Sequence, residues 1–255
     1  MGYNFTNRVN LGEMGFWDPW IGCTKISEAC DHCYYCPKFD RFSIVPYKQN
    51  VPENLPYGTV IITAFKTDFF IEYGDIHRER CWEEIRNHPQ YIFLICTKRV
   101  SRIAESLPAD WGDGYDNVVI MVTAENQKRV DERIPEFLKI PCKHRWIAAM
   151  PLLEPIDIKK YLVQGIEHVE VGGERALNGL ARPLNYDWVV DLADQCSQTN
   201  TRMSFMAVGS NFLMGDSVFT HCGSACYHSR KADSLELDLA IPLSFKLCNK
   251  EFILK

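Results

Sequence analysis

Six short apolar runs constrain the fold most, because helix-like segments with polar turns separate them along the chain. Continuous apolar strands that alternate with amphipathic helices are typical of a parallel sheet covered by helices. The sequence therefore predicts an α/β fold built on one parallel sheet. The runs are TVIITAF (59–65), YIFLICT (91–97), NVVIMVT (117–123), HRWIAAM (144–150), HVEVGG (168–173) and RMSFMAV (202–208).

Four segments between these runs have the pattern of amphipathic helices. The chain has 255 residues, of which 46% are hydrophobic and 24% charged, as in an ordinary globular protein. Because α/β barrels often use about 200 to 250 residues as one unit, we expect a single domain over residues 1–255. The segments are HRERCWEEIRNH (77–88), SRIAESL (101–107), NQKRVDERIPEFLK (126–139) and NYDWVVDLADQCSQT (185–199).

Polar residues follow four of the predicted strands at the point where each strand ends. Ligands of parallel α/β folds lie at the carboxyl ends of the strands, so these residues would face one site. The alternative is that polar residues follow any strand where the chain turns. Four clusters in series favour a site. The residues are Thr67, Asp68, Thr97, Lys98, Glu125, Asn126, Gly172, Gly173 and Glu174.

The chain contains eleven cysteines, four of them in GCTKISEACDHCYYC (22–36). The N-terminus lacks the pattern of a secretory signal, and no run approaches the roughly 20 apolar residues that span a bilayer. We therefore expect a cytoplasmic protein with no membrane association. In that reducing compartment, cysteines indicate metal binding or catalysis rather than disulfides.

Cys23, Cys30 and Cys33 have the spacing C-x6-C-x2-C, and Cys36 adds one further step. Four thiolates could close a zinc site, whereas three would leave one iron of a [4Fe-4S] cluster open. The spacing alone leaves both alternatives open. The loop follows FWDPWIG (16–22), which can form the first strand of the sheet. The cysteine segment would then lie at the mouth of a barrel, and this position favours a catalytic role for the cysteines over a structural one.

Longer segments carry a resemblance to a known family. The segments are WDPWIGCTKISEACDHCY, TKRVSRIAESLPADWGDGYDNVVIMVTAENQKRVDERIP, PLLEPIDI, VEVGGE and ARPLNYDWV. With these segments the chain resembles the phage Gp37/Gp68 family (DUF5131), whose members carry a three-cysteine motif and look like radical S-adenosylmethionine (SAM) enzymes.

This resemblance implies a partial (β/α)6 barrel, whose core would span residues 15–208. Residues 209–255 lose the alternation of strands and helices, which predicts a C-terminal extension. The resemblance further implies that Cys23, Cys30 and Cys33 bind three irons of a [4Fe-4S] cluster, while the fourth iron binds SAM. His32 would lie against the adenine, and the VGGE segment that ends in Glu174 would contact SAM or substrate. A flavodoxin- or ferredoxin-type electron donor would be needed.

Other residues have more than one interpretation. Cys222 and Cys226, with nearby histidines, could bind a second metal, complete the first site, or belong to a surface loop with free thiols. Cys36 could be an additional ligand or a neighbouring thiol. Five other cysteines have the apolar or helical surroundings of core residues. They are Cys81, Cys96, Cys142, Cys196 and Cys248.

The charge of the chain bears on its partners. The net charge of −5 gives no overall basic field, so a nucleic-acid partner would need a local patch. Lys98 and Arg99 could meet a phosphate or the SAM carboxylate, or simply begin a helix. We expect a radical SAM enzyme whose substrate is a nucleotide or nucleic acid, as the phage association of the family suggests. The alternative is a zinc- or iron–sulfur-binding, nucleic-acid-associated protein without SAM chemistry.

Overall fold

The computed structural model describes residues 13–33, 45–46, 49–175, 180–220 and 225–254, without the side chains of residues 45–46 and 225–227. The strands are β1 (Met14–Trp17), β2 (Trp20–Ile21), β3 (Val45–Pro46), β4 (Val60–Thr63), β5 (Ile92–Thr97), β6 (Val118–Thr123), β7 (His144–Ala149), β8 (His168–Gly172), β9 (Leu184–Asn185), β10 (Arg202–Ala207), β11 (Asn211–Met214), β12 (Ser217–Thr220), β13 (Leu243–Leu247) and β14 (Lys250–Leu254). The helices are α1 (Asp75–Asn87), α2 (Val100–Ser106), α3 (Gln127–Leu138), α4 (Lys159–Leu162), α5 (Tyr186–Thr199) and α6 (Ala225–Asp233).

Seven strands form the main sheet, in the order β1-β4-β5-β6-β7-β8-β10, and every neighbouring pair is parallel. The sheet is curled into a half-barrel. All six predicted apolar runs supply strands of this sheet, and the FWDPWIG segment contributes its edge strand β1. The prediction of an α/β fold with a parallel sheet is therefore confirmed. The four predicted helices are also confirmed as α1, α2, α3 and α5.

Local sequence explains where two of these helices begin. Asn126 precedes α3 and its side chain accepts a hydrogen bond from the Arg129 backbone N–H at 2.9 Å. Asn185 caps α5 in the same way, because its side chain accepts from the Asp187 N–H at 2.9 Å. Each cap satisfies a backbone donor that the first turn of a helix leaves free. Helix α3 thus begins directly behind the carboxyl end of β6.

The two faces of the sheet are covered differently. Alternate strand residues on one side, the helix face, pack against α1 to α5 in the larger apolar cluster. The other side, the hairpin face, carries Val60, Ile92, Val119 and Trp146, which pack against the hairpin formed by β13 and β14. The predicted C-terminal extension therefore supplies part of the core of the sheet.

The turn of this hairpin corrects one prediction. Cys248 was expected in the core, but it is exposed. Cys248 and Asn249 form the two-residue connection between β13 and β14, with φ angles of 49° and 62°. Two consecutive positive φ angles are typical of the turn that joins tightly paired antiparallel strands. The residue therefore points away from the sheet.

The remaining strands form smaller sheets of β2 with β3 and of β9, β11 and β12. Within the described ranges, no helix combines the length and the apolar character needed to cross a membrane.

Candidate functional site

The described part of the cysteine segment, residues 22–33, is called here the cysteine loop. It begins at the carboxyl end of the sheet, where Gly22 forms a parallel bridge with Thr67 and accepts a hydrogen bond from the Thr67 hydroxyl. Cys30 ends a single 3-10 turn, and the Cys33 N–H donates to the Cys30 carbonyl at 3.4 Å. Cys30 is buried, while Cys23 and Cys33 are half-buried. The motif thus lies where the sequence predicts a ligand site.

Arg99 anchors the first part of the cysteine loop. Its Nη1 donates to Asp68 Oδ2 at 3.1 Å and lies 3.8 Å from Cys23 Sγ. Its Nη2 donates to the Thr24 carbonyl at 3.1 Å and also contacts the Thr24 hydroxyl. A buried guanidinium therefore ties a strand-end carboxylate to the loop beside a predicted metal ligand.

Asp68 holds Arg99 in place. The carboxylate also accepts hydrogen bonds from the Thr97 hydroxyl at 2.8 Å, from the Phe70 N–H at 3.0 Å and from the Lys98 N–H at 3.1 Å. Both of its oxygens are occupied by donors of the protein itself. Asp68 and Thr97, both predicted to face a ligand site, therefore position the groups around Cys23.

Glu28 anchors the middle of the cysteine loop to α3. Its two carboxylate oxygens accept from Arg129 Nε at 2.9 Å and from Arg129 Nη2 at 3.0 Å. This two-point contact is the geometry in which a guanidinium binds a carboxylate best. The hydrogen bonds from Arg129 lower the pKa of Glu28 to about 2.

Glu174 and Arg182 anchor the far end of the loop. Glu174 Oε2 accepts from His32 Nδ1 at 3.0 Å and from Arg182 Nε at 3.0 Å, and Arg182 Nη2 donates to the Glu28 carbonyl at 2.8 Å. Burial raises the pKa of Glu174, but the hydrogen bonds from Arg182 and His32 outweigh this effect and leave the pKa below its ordinary value. The structure therefore brings together His32 and Glu174, two residues predicted separately.

The glycines before Glu174 serve close packing. A Cβ atom on Gly173 would lie 2.4 Å from the Val208 carbonyl oxygen, and one on Gly172 would lie 2.8 Å from Met150 Sδ. Side chains at these positions would collide with the neighbouring segments. Gly172 and Gly173 therefore let β8 approach its neighbours closely.

Glu125 and Asn126 are used within the protein. Glu125 is fully buried, and its Oε2 accepts from Arg133 Nη1 at 2.7 Å. The same nitrogen donates to the Thr123 carbonyl at 2.7 Å. Asn126 caps α3, as described above. Both residues stabilise the connection from β6 to α3, which also presents Arg129 to the cysteine loop.

Lys98 differs from the other charged residues at this end of the sheet. Asp68, Glu125 and Glu174 each pair with an arginine, whereas the Lys98 ammonium forms no hydrogen bond or ion pair with the residues that the structure describes. Burial lowers the pKa of Lys98, but Cys96, Cys30 and Glu125 outweigh it, and the pKa lies above its ordinary value. The side chain is therefore a charged ammonium within electrostatic reach of Cys30.

The thiols themselves are shielded from water to different extents. Burial raises the pKa of Cys23 to about 11, against the opposing effect of Arg99, and Cys30 contributes further to the increase. Cys23 and Cys30 are thus close enough to influence each other electrostatically. In the described ranges, no set of three or more His, Cys, Asp or Glu side chains is arranged to hold a metal ion.

Three predicted ligands lie outside the described part of the chain. These are Cys36, Cys222 and the side chain of Cys226. Sequence reasoning missed Glu28, Arg129 and Arg182, the residues that anchor the loop. The available signal was Glu28, an acidic residue between two cysteines of the motif, with which a cationic side chain from elsewhere in the fold can pair.

A cavity of about 440 Å³ lies at the opposite end of the sheet, where Lys143 and His144 face the β13–β14 hairpin. Two of its charged groups are paired, with Lys143 Nζ 2.6 Å from Asp116 Oδ1 and His144 Nδ1 3.1 Å from Glu167 Oε2. The cavity is separate from the cysteine loop, which lies at the carboxyl ends of the strands.

Comparison with known proteins assigns the chain to a family. A family model described as "Protein of unknown function (DUF5131)" matches residues 14–234, a range that takes in the whole main sheet and the cysteine loop. No curated protein and no solved structure matches the chain. Because the matched range covers most of its length, the chain belongs to the DUF5131 family.

Proposed function

We propose that this protein is a radical SAM enzyme in which Cys23, Cys30 and Cys33 hold a [4Fe-4S] cluster. The observation that carries the proposal is the seating of the cysteine loop over the carboxyl ends of parallel strands. Arg99, Arg129 and Arg182 follow three different strands of the sheet and all contact this loop. A purely structural metal knuckle would not need to be fixed across the region where parallel α/β folds bind ligands.

The chemistry of the donor set fits such a cluster. Three cysteine thiols in one short loop are soft ligands suited to iron–sulfur centres. Thiolates of a cluster bind separate irons, so they need not converge on one point as the ligands of a single ion do. Arg99 and Lys98 supply positive charge beside Cys23 and Cys30. We therefore interpret the half-barrel as a partial barrel of the radical SAM type.

When bound, the cluster would supply the electron that cleaves the sulfonium bond of SAM and yields a 5′-deoxyadenosyl radical. The residues of the chain orient and shield it. Arg99 donates toward Cys23 Sγ, while Asp68 fixes the guanidinium. Glu174 fixes the ring of His32, which we propose lies against the adenine of SAM.

The partners follow from this chemistry. An external electron donor of the flavodoxin or ferredoxin type would be required, because the reductive cleavage of SAM consumes one electron. We propose a nucleotide or nucleic acid as the substrate. The ammonium of Lys98, which pairs with no carboxylate in the part of the chain that the structure describes, supports an anionic molecule of this kind.

Metal analysis and spectroscopy test the proposal. The protein is purified anaerobically, its iron, sulfide and zinc contents are measured with its absorption spectrum, and EPR spectra of the reduced protein are recorded with and without SAM. We expect about four irons and four sulfides per chain and a signal that SAM perturbs. One tightly bound zinc and no cluster after reconstitution would contradict the proposal and favour a structural site.

A variant pair tests the ligand assignment. Cys30→Ala should abolish the formation of 5′-deoxyadenosine in the presence of dithionite, while circular dichroism shows a folded protein. Cys196→Ala is the matched control, because Cys196 is also a buried cysteine but lies in α5, outside the cysteine loop. Unchanged product formation in Cys30→Ala would show that this cysteine is not a required ligand.

A further inference from the structure

Arg99 contacts a sulfur atom of the cysteine motif as well as the backbone of the cysteine loop. Its Nη1 lies 3.8 Å from Cys23 Sγ, within hydrogen-bonding reach of a sulfur acceptor, and the Arg99 residue is only 3% exposed. The Cys23 thiol lies 3.6 Å from the Thr24 carbonyl, to which it can donate its own proton. The sulfur therefore accepts from Arg99, while its proton, when present, has a different partner.

The guanidinium of Arg99 is fixed independently of the sulfur. Its Nη1 donates to Asp68 Oδ2 at 3.1 Å, its Nη2 donates to the Thr24 carbonyl at 3.1 Å, and its Nε lies 3.9 Å from Glu72 Oε2. Asp68 is held in turn by the Thr97 hydroxyl and by two backbone N–H groups. The protein itself therefore sets the direction of the N–H group that faces the cysteine sulfur.

This contact contributes little to a neutral thiol. A thiol sulfur is a weak hydrogen-bond acceptor, whereas a thiolate that binds a metal carries negative charge and accepts a charged N–H group more strongly. Burial strengthens the interaction further, because a hydrogen bond is electrostatically stronger at low dielectric. Anchoring of the loop explains the contacts of Arg99 with Thr24, but it does not require a nitrogen beside the sulfur of Cys23. The contact is therefore suited to the metal-bound form of the cysteine.

We propose that Arg99 is a positioning residue that acts through Cys23 on the metal centre and raises the reduction potential of the [4Fe-4S] cluster. This inference rests on the proposed function, since it takes the cluster as the metal centre. Reduction adds one electron from the external donor to the cluster, and part of the added negative charge falls on the cysteine sulfurs. A charged N–H group stabilises that charge and so favours the reduced state. Hydrogen bonds to the sulfurs are one of the factors that set the potentials of such clusters.

Redox titration followed by EPR measures this effect. The full-length chain with its cluster is reduced stepwise with dithionite and mediators, without SAM, and the signal of the reduced cluster gives the midpoint potential. We expect Arg99→Met to lower the equilibrium constant for one-electron reduction about tenfold, which is a shift of about 59 mV to more negative potential.

Arg99→Lys keeps the test decisive if Arg99→Met does not fold. Lysine retains the charge beside Asp68, but it lacks the planar fork that reaches Cys23 and Thr24 together. The potential of this variant should therefore shift in the same direction by a smaller amount. An unchanged potential in Arg99→Met, or in Arg99→Lys where it replaces that variant, would overturn the inference.

Two controls separate this effect from loosening of the loop and from the change of charge. The double variant Glu28→Gln, Arg129→Met removes another anchor of the cysteine loop without changing the net charge, and that anchor contacts a carboxylate rather than a thiol. Arg102→Met removes the same charge as Arg99→Met, but from a more exposed pair with Asp75. Both controls should leave the potential unchanged. A shift in either control as large as that in Arg99→Met would overturn the inference.

Metal content distinguishes failure of this inference from failure of the proposed function. If the chain binds one zinc and no cluster, the proposed function is rejected, and the same variants are loaded with Co²⁺ in place of zinc. The sulfur-to-cobalt charge-transfer absorption should move to lower energy in Arg99→Met, because the N–H group no longer stabilises the sulfur electrons. That result would retain the action of Arg99 on the metal centre through Cys23, whereas an unchanged absorption would overturn it. A chain that binds neither a cluster nor a single metal ion would overturn both.

Discussion

The two ends of the hairpin face are stabilised by different interactions. At the amino end, Trp146 and Phe245 belong to an apolar cluster between the sheet and the C-terminal hairpin. At the carboxyl end, the cysteine loop is fixed by arginine side chains and their carboxylate partners. Apolar burial is strongly favourable but non-directional, whereas charged hydrogen bonds are directional and cost desolvation. We infer that the amino end contributes most to the stability of the fold, whereas the carboxyl end fixes the position of the cysteine loop.

The largest effect should come from the apolar end. Phe245→Ala removes a ring that is 1% exposed and lies 4.2 Å, centroid to centroid, from the ring of His144. We expect the free energy of unfolding to fall by about 3–5 kcal/mol, because the cavity left behind cannot close fully. Urea unfolding measures this loss.

The adjacent variant Lys246→Ala is the control, since Lys246 is exposed on the same strand and should change the stability by less than about 0.5 kcal/mol. Hydrogen exchange in residues 22–33 should be unchanged at low urea in Phe245→Ala. Faster exchange confined to the cysteine loop in this variant would show that the apolar amino end also fixes the position of the loop, and would contradict the comparison of the two ends.

A smaller effect on stability is expected at Arg99, with a larger effect on the loop. Arg99→Met leaves the buried carboxylate of Asp68 without its ion-pair partner but with its donors from Thr97 and Phe70. We expect a loss of about 2–3 kcal/mol and faster hydrogen exchange around Thr24. Urea unfolding measures the loss of stability, and hydrogen-exchange mass spectrometry measures the exchange around Thr24.

Arg102→Met provides the comparison for this variant. Arg102 also lies in the segment after β5, but it pairs with the more exposed carboxylates of Asp75 and Glu105. Its loss should cost less than about 1 kcal/mol and leave the loop unchanged. Equal effects of the two variants would show that Arg99 has no special role in fixing the loop.

The smallest effect should appear at Glu28 and depend on pH. Its pKa falls from 4.5 to about 2 in the folded protein, so its contact with Arg129 stabilises the folded state fully above pH 4.5. This contribution is lost as the pH falls toward about 2, because the unfolded chain takes up the proton first. We expect Glu28→Gln to cost less than about 1 kcal/mol near neutral pH, since the side chain is partly exposed.

Urea unfolding of the wild type and of Glu28→Gln between pH 7 and pH 2 checks this direction. The difference between their free energies of unfolding should shrink only below pH 4.5. Glu132→Gln removes the other carboxylate at Arg129 and should leave exchange in the cysteine loop unchanged. A stability difference that grows on acidification would refute the assigned direction.

Much of the fold was predictable from local patterns. The strands of the main sheet are apolar runs, and α1, α2, α3 and α5 have an amphipathic period; both can be recognised within about ten residues. The anchors of the cysteine loop were not predictable in this way. Glu28 and Arg129 are separated by 101 positions, and His32 and Glu174 by 142. Such pairs depend on which strand ends become neighbours, and no local pattern records that.

The hairpin shows the same limit. Residues 209–255 lack a clear alternation with the other elements, and the sequence predicted only an extension. Leu243, Phe245 and Leu247 alternate over a single short strand, which is too little to indicate that this strand covers one face of the sheet. Burial of that face required a partner, and the tertiary structure supplied it from the end of the chain.

The sequence by itself determined the parallel α/β architecture, the three-cysteine motif and the family, because each depends on the order and spacing of residues along the chain. Only the tertiary structure decided which charges neutralise one another at the carboxyl ends of the strands. It paired Asp68, Glu125 and Glu174 with arginines and left Lys98 without a partner among the described residues. Pairing of charges depends on distance in space, and that distance is set by the curl and register of the sheet.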